Sequence, residues 1–380
     1  MDFARIGSKM QAVNMLSAFY NARVQGYAKI YDAFKRNPKM TTAKIGAYIT
    51  APSILLWYLN HDDERYKQLA QWEKDLFWIV ITPEIGVGDK VYEDDNDYTI
   101  YRIPKPFELG LLFGTLPERA LDWAYSTMQD KNDGSAEAFM KQLKGFATNN
   151  TTGLIPTPDF AKPVIETWAN RSLFTNMPII PYGTENMLPK YQYNEYTSET
   201  AKLLGKTLDQ ITGGTMGSPA RIDSVIQNWT GTLGRYAIEV ADAGLRASGY
   251  VEGEKAEKRL EDLPVIKAFL VRNPKGSSEY ISRFYEKAKK AESLLATRKK
   301  LIDEGNVEEA QKLVAEADLN FIAFTGAKDT MSGLRRLIRQ INNNKDMDAA
   351  EKRQLIDQSY QSMIDIARYT LETYYELDDE

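Results

Sequence analysis

Apolar residues recur at helical spacing along most of the chain. Over residues 9–36, Val13, Leu16, Phe19, Tyr20, Val24, Tyr27, Ile30, Tyr31 and Phe34 form one stripe, closed by Asn37-Pro38. A second helix is predicted after Thr41-Thr42, running from Ile45 to Leu59 with no charge after Lys44 and a kink at Pro52. Its apolar run of about 15 residues falls short of the roughly 20 that cross a bilayer, which predicts a helix buried in the core. Residues 63–76 read as a third, amphipathic helix.

The pattern then changes period. Phe77-Trp78-Ile79-Val80-Ile81 and Tyr98-Thr99-Ile100-Tyr101-Arg102-Ile103 are β-branched and aromatic, with Val91-Tyr92 and the acidic turn Asp94-Asp95-Asn96-Asp97 between them. This predicts a small antiparallel meander confined to about residues 77–103. Helices follow over 107–129 and 136–147. Residues 149–196 hold six prolines among many Asn, Thr and Tyr residues, a spacing that excludes a long helix. Trp168, Phe174, Ile179, Ile180, Tyr191 and Tyr193 make the segment too apolar for a free linker, so an ordered strap with buried aromatics is expected.

Helical spacing resumes over 197–211 and again after Ser218-Pro219, where a serine cap precedes a first-turn proline. Ile222, Val225, Ile226, Trp229, Leu233, Tyr236 and Val240 form that helix's stripe. Gly231 and Gly234 inside it predict either a break or a closely packed backbone. Asn273-Pro274-Lys275-Gly276 marks a boundary. Beyond it come a long helix ended by Gly305, one opened by Asn306 with Glu309, and a last one opened by Asp348 with Glu351. The expected fold is mainly α, a multi-helix bundle with a small antiparallel β meander and a C-terminal helical-hairpin bundle. Its expected divisions are an N-terminal body (1–148), the strap (149–196), a helical region (197–272) and the C-terminal bundle (273–380).

Composition narrows the chemistry. The 380 residues carry no cysteine and one histidine, which excludes disulfides, thiol nucleophiles, cysteine-ligated zinc and a helical His pair for metal. A net charge of −5 argues against a dedicated nucleic-acid coat. His61, in Asn60-His61-Asp62-Asp63, reads as a helix-end turn residue. Asp95, Asp97 and Thr99 alternate as in a calcium loop, but Ile100 stands where a glycine is needed and Pro106 where a glutamate is needed.

Gly205-Lys206-Thr207 lacks the earlier glycine of a phosphate loop, since Thr200 stands there. Gly213-Gly214-Thr215-Met216-Gly217 reads as a helix connector. Glu108 and Glu118 are the one carboxylate pair to weigh for glycoside cleavage, with Glu118 after Pro117 better placed to cap a helix start. The basic runs Lys287-Ala288-Lys289-Lys290, Arg298-Lys299-Lys300 and Arg335-Arg336 with Arg339 are interleaved with acids and read as solvated helix faces. No catalytic, cofactor-binding or metal residue is assigned, and no cofactor is expected.

Several phrases carry a family resemblance. They are Phe19-Tyr20-Asn21-Ala22 with Gln25-Gly26, the stretch 50–60, Tyr66 with Trp72-Glu73-Lys74-Asp75, Arg102-Ile103-Pro104-Lys105-Pro106-Phe107-Glu108-Leu109-Gly110, and Leu112-Phe113-Gly114-Thr115-Leu116-Pro117-Glu118-Arg119. Asn176-Met177-Pro178-Ile179-Ile180-Pro181 and Ser218-Pro219-Ala220-Arg221-Ile222-Asp223 follow. In this order, over about residues 1–300, the chain resembles a large polyvalent protein associated domain, a helical module of very large phage and mobile-element proteins. From the residues themselves, the stretch from Arg102 to Gly110 reads as the hinge between sheet and helical body.

The resemblance implies a structural, non-enzymatic module of an internal virion or ejection protein, packaged in the particle and delivered to the host cell with the genome. It carries over no catalytic residue. The implied partners are other virion or ejection proteins, portal or tail components, or further copies of the chain as a homo-oligomer. Contact with DNA would be weak and local, and contact with host membrane is not favoured. The rival readings are a co-injected antirestriction module and a cell-wall lytic enzyme, the latter testable on purified peptidoglycan.

Overall fold

The structure, a computed structural model, describes residues 20–83, 98–128, 140, 161–214, 216–263, 265–315 and 321–374. The expected helix over 136–147, apart from the helical Met140, the middle strand at Val91-Tyr92, the acidic turn, and the start of the first helix lie outside the described residues. The protein is mainly helical, as the hydrophobic pattern predicts, with a small three-stranded antiparallel sheet. It divides into two compact units, one drawn from positions 1–159 and 258–273, the other from 160–257 and 274–377.

In the first unit, helix α1 (Tyr20–Arg36) ends at Asn37, whose side chain caps α2 (Pro38–Ile45) by accepting from the Met40 amide at 3.1 Å. The chain then stays helical through a π-turn (Gly46–Thr50) into α3 (Ala51–Asn60). Pro52 offers no N–H to the Tyr48 carbonyl one turn back, and the wider π-turn accommodates that loss. The predicted single helix over 63–76 is instead two short ones, α4 (Glu64–Lys67) and α5 (Gln71–Leu76).

Strands β1 (Phe77–Pro83) and β2 (Tyr98–Pro104) pair antiparallel, with Ile79 opposite Arg102 and Ile81 opposite Ile100. The third strand, β3 (Leu270–Val271), adds to β2 through Ile100 and Val271, so the sheet extends beyond 77–103. Ile79, Ile100 and Val271 pack with Tyr66 and Leu69 into the apolar core of this unit. After β2 come α6 (Phe107–Gly110), a second π-turn (Leu111–Thr115) and α7 (Leu116–Met128).

The second unit opens inside the proline-rich segment with α8 (Lys162–Ala169), which Pro163 begins and left-handed Asn170 ends. The rest of the segment is held by polar bonds more than by aromatic burial. Ile180 is buried and its amide donates to Asn170 Oδ1, and buried Gln192 donates to the Glu185 and Met187 carbonyls. Trp168 and Phe174, expected inside, are 86% and 66% exposed.

Helices α9 (Glu199–Ile211) and α10 (Pro219–Ala247) follow as a hairpin. Their connector crosses close to α9: a side chain on Gly205 would stand 2.6 Å from the Gly217 carbonyl oxygen. Ser198 caps α9 as a cap should, but Ser218 makes no cap bond ahead of α10. Gly231, at φ 60°, breaks α10 as one of the two sequence alternatives required.

Helices α11 (Glu279–Asp303), α12 (Val307–Ala315), α13 (Phe321–Asn343) and α14 (Ala349–Tyr374) complete the unit. Phe284 stacks on Phe324 at 5.6 Å among Met331, Ile356, Met363 and Leu371, all fully buried. Ala288, Ala291 and Ala367 let the helices approach closely at this core. The Asp348 side chain accepts from the Glu351 amide at 2.8 Å, as expected at the start of α14.

Candidate functional site

The most heavily built polar site of the first unit lies where the two π-turns meet. Both end on threonine two residues before a proline, in Thr50-Ala51-Pro52 and Thr115-Leu116-Pro117. Pro117 has no N–H for the Phe113 carbonyl, and the Thr50 hydroxyl supplies the missing bond at 2.8 Å. The Thr115 hydroxyl likewise leaves its own helix to reach the Asp75 carbonyl at 2.6 Å. The approach leaves no room for side chains at two glycines. A Cβ on Gly114 would lie 2.7 Å from Ser53 Oγ, and one on Gly110 2.6 Å from Lys105 Cβ.

Three ion pairs knit this junction. The Lys105 ammonium donates to Glu118 at 2.5 Å, to the Lys74 carbonyl at 2.9 Å and to Thr115 Oγ1 at 3.2 Å. Arg119 pairs with Asp75 at 2.6 Å, and Arg102 with Glu73 at 3.1 Å. Arg102 also donates to the Ala268 and Lys267 carbonyls, while its guanidinium stands 5.2 Å from the Phe77 ring centre. Residues Glu73, Asp75, Lys105 and Glu118 are all buried. Glu73 and Asp75, Arg102 and Lys105, and Glu118 and Arg119, drawn from three of the phrases, thus pair with one another in the fold, whereas Glu108 does not join them. The expected hinge role of the Arg102–Gly110 phrase is consistent with this geometry.

Burial dominates the electrostatics. It pushes the Glu118 carboxyl up to about 7, against the opposing pull of Lys105. Burial also lowers the Lys105 ammonium and the Arg102 guanidinium. Burial works against the charge of Arg119 too, but Asp75 and Asp122 outweigh it and its pKa is raised. A carboxyl near 7 beside a lysine is the signature of a general acid, but structural ion-pair networks produce the same shift. Here an ammonium has three protons and Lys105 uses all three on protein acceptors.

The other residues weighed in the sequence fall as follows. Glu118 does not cap a helix start, because helix already runs from Phe107 through the π-turn, and it serves as an ion-pair partner instead. Glu108 stands ten positions earlier, roughly 15 Å along the axis, beyond the separation that glycoside cleavage uses. Its carboxylate instead lies where a side chain on Gly26 would be, 3.0 Å from that position. His61 closes α3, bonding the Tyr58 carbonyl at 2.9 Å and stacking on Trp57. Gly205-Lys206-Thr207 is helical.

Arg335 and Arg339, read as part of a solvated face, are half-buried. They line a cleft of the second unit with Glu195, Tyr193 and Tyr360, with room for about two waters. Tyr360 donates to Glu195 at 2.9 Å, and Arg339 lies over the Tyr193 ring. Among the described residues no three His, Asp or Glu side chains gather as a metal site, and no helix is long and apolar enough to cross a membrane.

The sequence reading missed the burial of Lys105 and the three ion pairs, whose partners lie 13, 29 and 44 positions apart. A signal was present in the repeated Thr-x-Pro within apolar helix. In comparison with known proteins, the family model described as large polyvalent protein associated domain 38 matches residues 63–266, more than half of the chain. The phrases at 19–26 and 50–60 lie ahead of that range. No curated protein and no solved structure matches.

Proposed function

Because the chain belongs to the large polyvalent protein associated domain 38 family, a phage-associated family, we propose that it is a structural, non-enzymatic module of an internal virion protein. In this reading it is packaged in the particle and enters the host with the genome. One observation carries the proposal: a set of charged side chains is buried and paired while large apolar side chains remain exposed on two helices. Lys105, Glu118, Glu73 and Asp75 are buried and paired, while Tyr48, Leu55, Leu59, Trp229, Leu233 and Val240 are exposed. Saturated internal charges hold a scaffold, and clustered exposed apolar side chains make surfaces for contact. The absence of cysteine suits a chain that must loosen to leave through a narrow channel and refold without covalent repair.

The test is a phage whose gene for this chain is deleted, grown beside a complemented control. The reading expects particles that assemble and adsorb but transfer DNA into the cell poorly. Normal transfer, with loss only in hosts that carry restriction enzymes, would overturn it in favour of an antirestriction role.

A further inference from the structure

The helix formed by α2, the first π-turn and α3 is turned inside out. Its inward positions on α3 are Ser53, Trp57 and Asn60, and two of these are polar. They are held there by distant partners: Ser53 accepts from Trp78 Nε1 at 2.7 Å, Asn60 donates to the Ile79 carbonyl at 2.8 Å, and Trp57 donates to Asp122 at 2.5 Å. The outward positions are Ala47, Tyr48, Ala51, Ile54, Leu55, Tyr58 and Leu59, all exposed, with Leu55 at 57% and Leu59 at 63%. The spacing 47/48, 51, 54/55, 58/59 puts them on one face roughly 19 Å long. The expectation that this run is a buried core helix is therefore wrong: the sheet and α7 anchor one side by polar bonds and leave the aliphatic side open.

Charge is distributed just as unevenly. From position 33 to 61 the chain has Lys35, Arg36, Lys39 and Lys44 and no acid at all, in a protein of net charge −5. All four cations are exposed and all precede the apolar face. The acids that follow it are engaged: Asp62 accepts from the Tyr125 hydroxyl, Asp63 pairs with Arg65 and Glu64 with Lys67. A basic collar, an uncharged aliphatic face and a tyrosine near each end are the features by which a helix lies in the headgroup region of a bilayer.

We propose that the outward face of residues 47–59, with its collar at Lys35, Arg36, Lys39 and Lys44, is a binding surface for an anionic lipid bilayer, lying in the interface without crossing it. The inference is independent of the virion reading, because it concerns the isolated chain and a lipid surface. A protein partner of the same face would want polar groups around an apolar centre, whereas here the cations sit at one end only.

The experiment is co-sedimentation of the full chain with vesicles of phosphatidylcholine alone and of phosphatidylcholine with one third phosphatidylglycerol. Binding is expected to the anionic vesicles and to weaken with salt. Lys35→Gln, Lys39→Gln and Lys44→Gln together should weaken it on the order of 100-fold, since each basic residue near such a surface contributes about 1 kcal/mol. Leu55→Asp with Leu59→Asp should abolish it. Both positions are exposed, so an unchanged circular dichroism spectrum certifies the fold. Leu233→Asp, on the exposed stripe of α10, should change nothing. Equal binding to both vesicles, no binding to either, or loss with Leu233→Asp would overturn the proposal. So would a dimer in sedimentation equilibrium that Leu55→Asp with Leu59→Asp breaks while vesicle binding is absent, because the occupant would then be a second copy.

Discussion

Removing one member of the Lys105–Glu118 pair should unfold the first unit far more readily than removing both. Lys105→Met keeps the aliphatic stem in place but strands the Glu118 carboxyl, only 7% exposed, without its cation. Above pH 7, where Glu118 is ionised in the folded protein, breaking a buried pair this way costs about 3–5 kcal/mol. Lys105→Met with Glu118→Leu leaves no buried charge, and the remaining loss is the unpaired Lys74 carbonyl, about 1–3 kcal/mol. The double variant should therefore be more stable than the Lys105→Met variant. The same site sets a pH dependence. Glu118 titrates near 4.5 unfolded and about 7 folded, so between these values the folded state holds the extra proton. Stability from this group is full below about 4.5 and is lost as pH rises through 7. At about 1.4 kcal/mol per unit, that amounts to about 3 kcal/mol across the window. Glu118→Gln should flatten that slope. Urea unfolding followed by tryptophan fluorescence is weighted to this unit, because four of the six tryptophans, Trp57, Trp72, Trp78 and Trp123, lie in it. A double variant that loses the sum of the two single losses, or a slope that survives Glu118→Gln, would refute the reasoning.

Gly110→Ala should cost about 1–3 kcal/mol through the clash with Lys105, whereas Gly46→Ala, with open space around it, should be neutral or gain up to about 1 kcal/mol; urea midpoints decide both. Asp242 accepts from the Glu199 and Thr200 amides at 2.9 and 2.8 Å and so caps α9 from outside. Burial resists its charge but these bonds win and its pKa is lowered, so its contribution is present above 3.8 and is lost as pH falls further, opposite in sign to Glu118. Asp242→Ala should cost about 1–2 kcal/mol in chemical denaturation at neutral pH. Phe284→Ala, at the centre of the second unit's core, should cost about 3–5 kcal/mol in helical signal melts.

Helical spacing located α1, α3, α7, α9, α10, α11 and α14 because periodicity is a local property. It did not say which side of a stripe is buried. For α3 the answer lies in Trp78 and the Ile79 carbonyl, which draw Ser53 and Asn60 inward and so push Leu55 and Leu59 out. The same limit applies to Trp229, Leu233 and Val240 on α10, a proper stripe that faces solvent. Strand β3 is two residues long and pairs with residues some 170 positions away, so no local pattern marks it. The carboxylate weighed for catalysis, Glu118, was noticed for its place after Pro117. Its actual partner, Lys105, lies in the stretch read as the hinge between sheet and helical body, and only the fold of α6 and the second π-turn brings the two together.

The claim that the chain is a packaged and delivered virion module is tested most directly by quantitative mass spectrometry of intact particles, emptied particles and infected-cell fractions. Peptides of this chain should be present in intact particles, depleted from emptied ones and recovered with the host cell. Absence from intact particles contradicts packaging, and retention in emptied particles contradicts delivery.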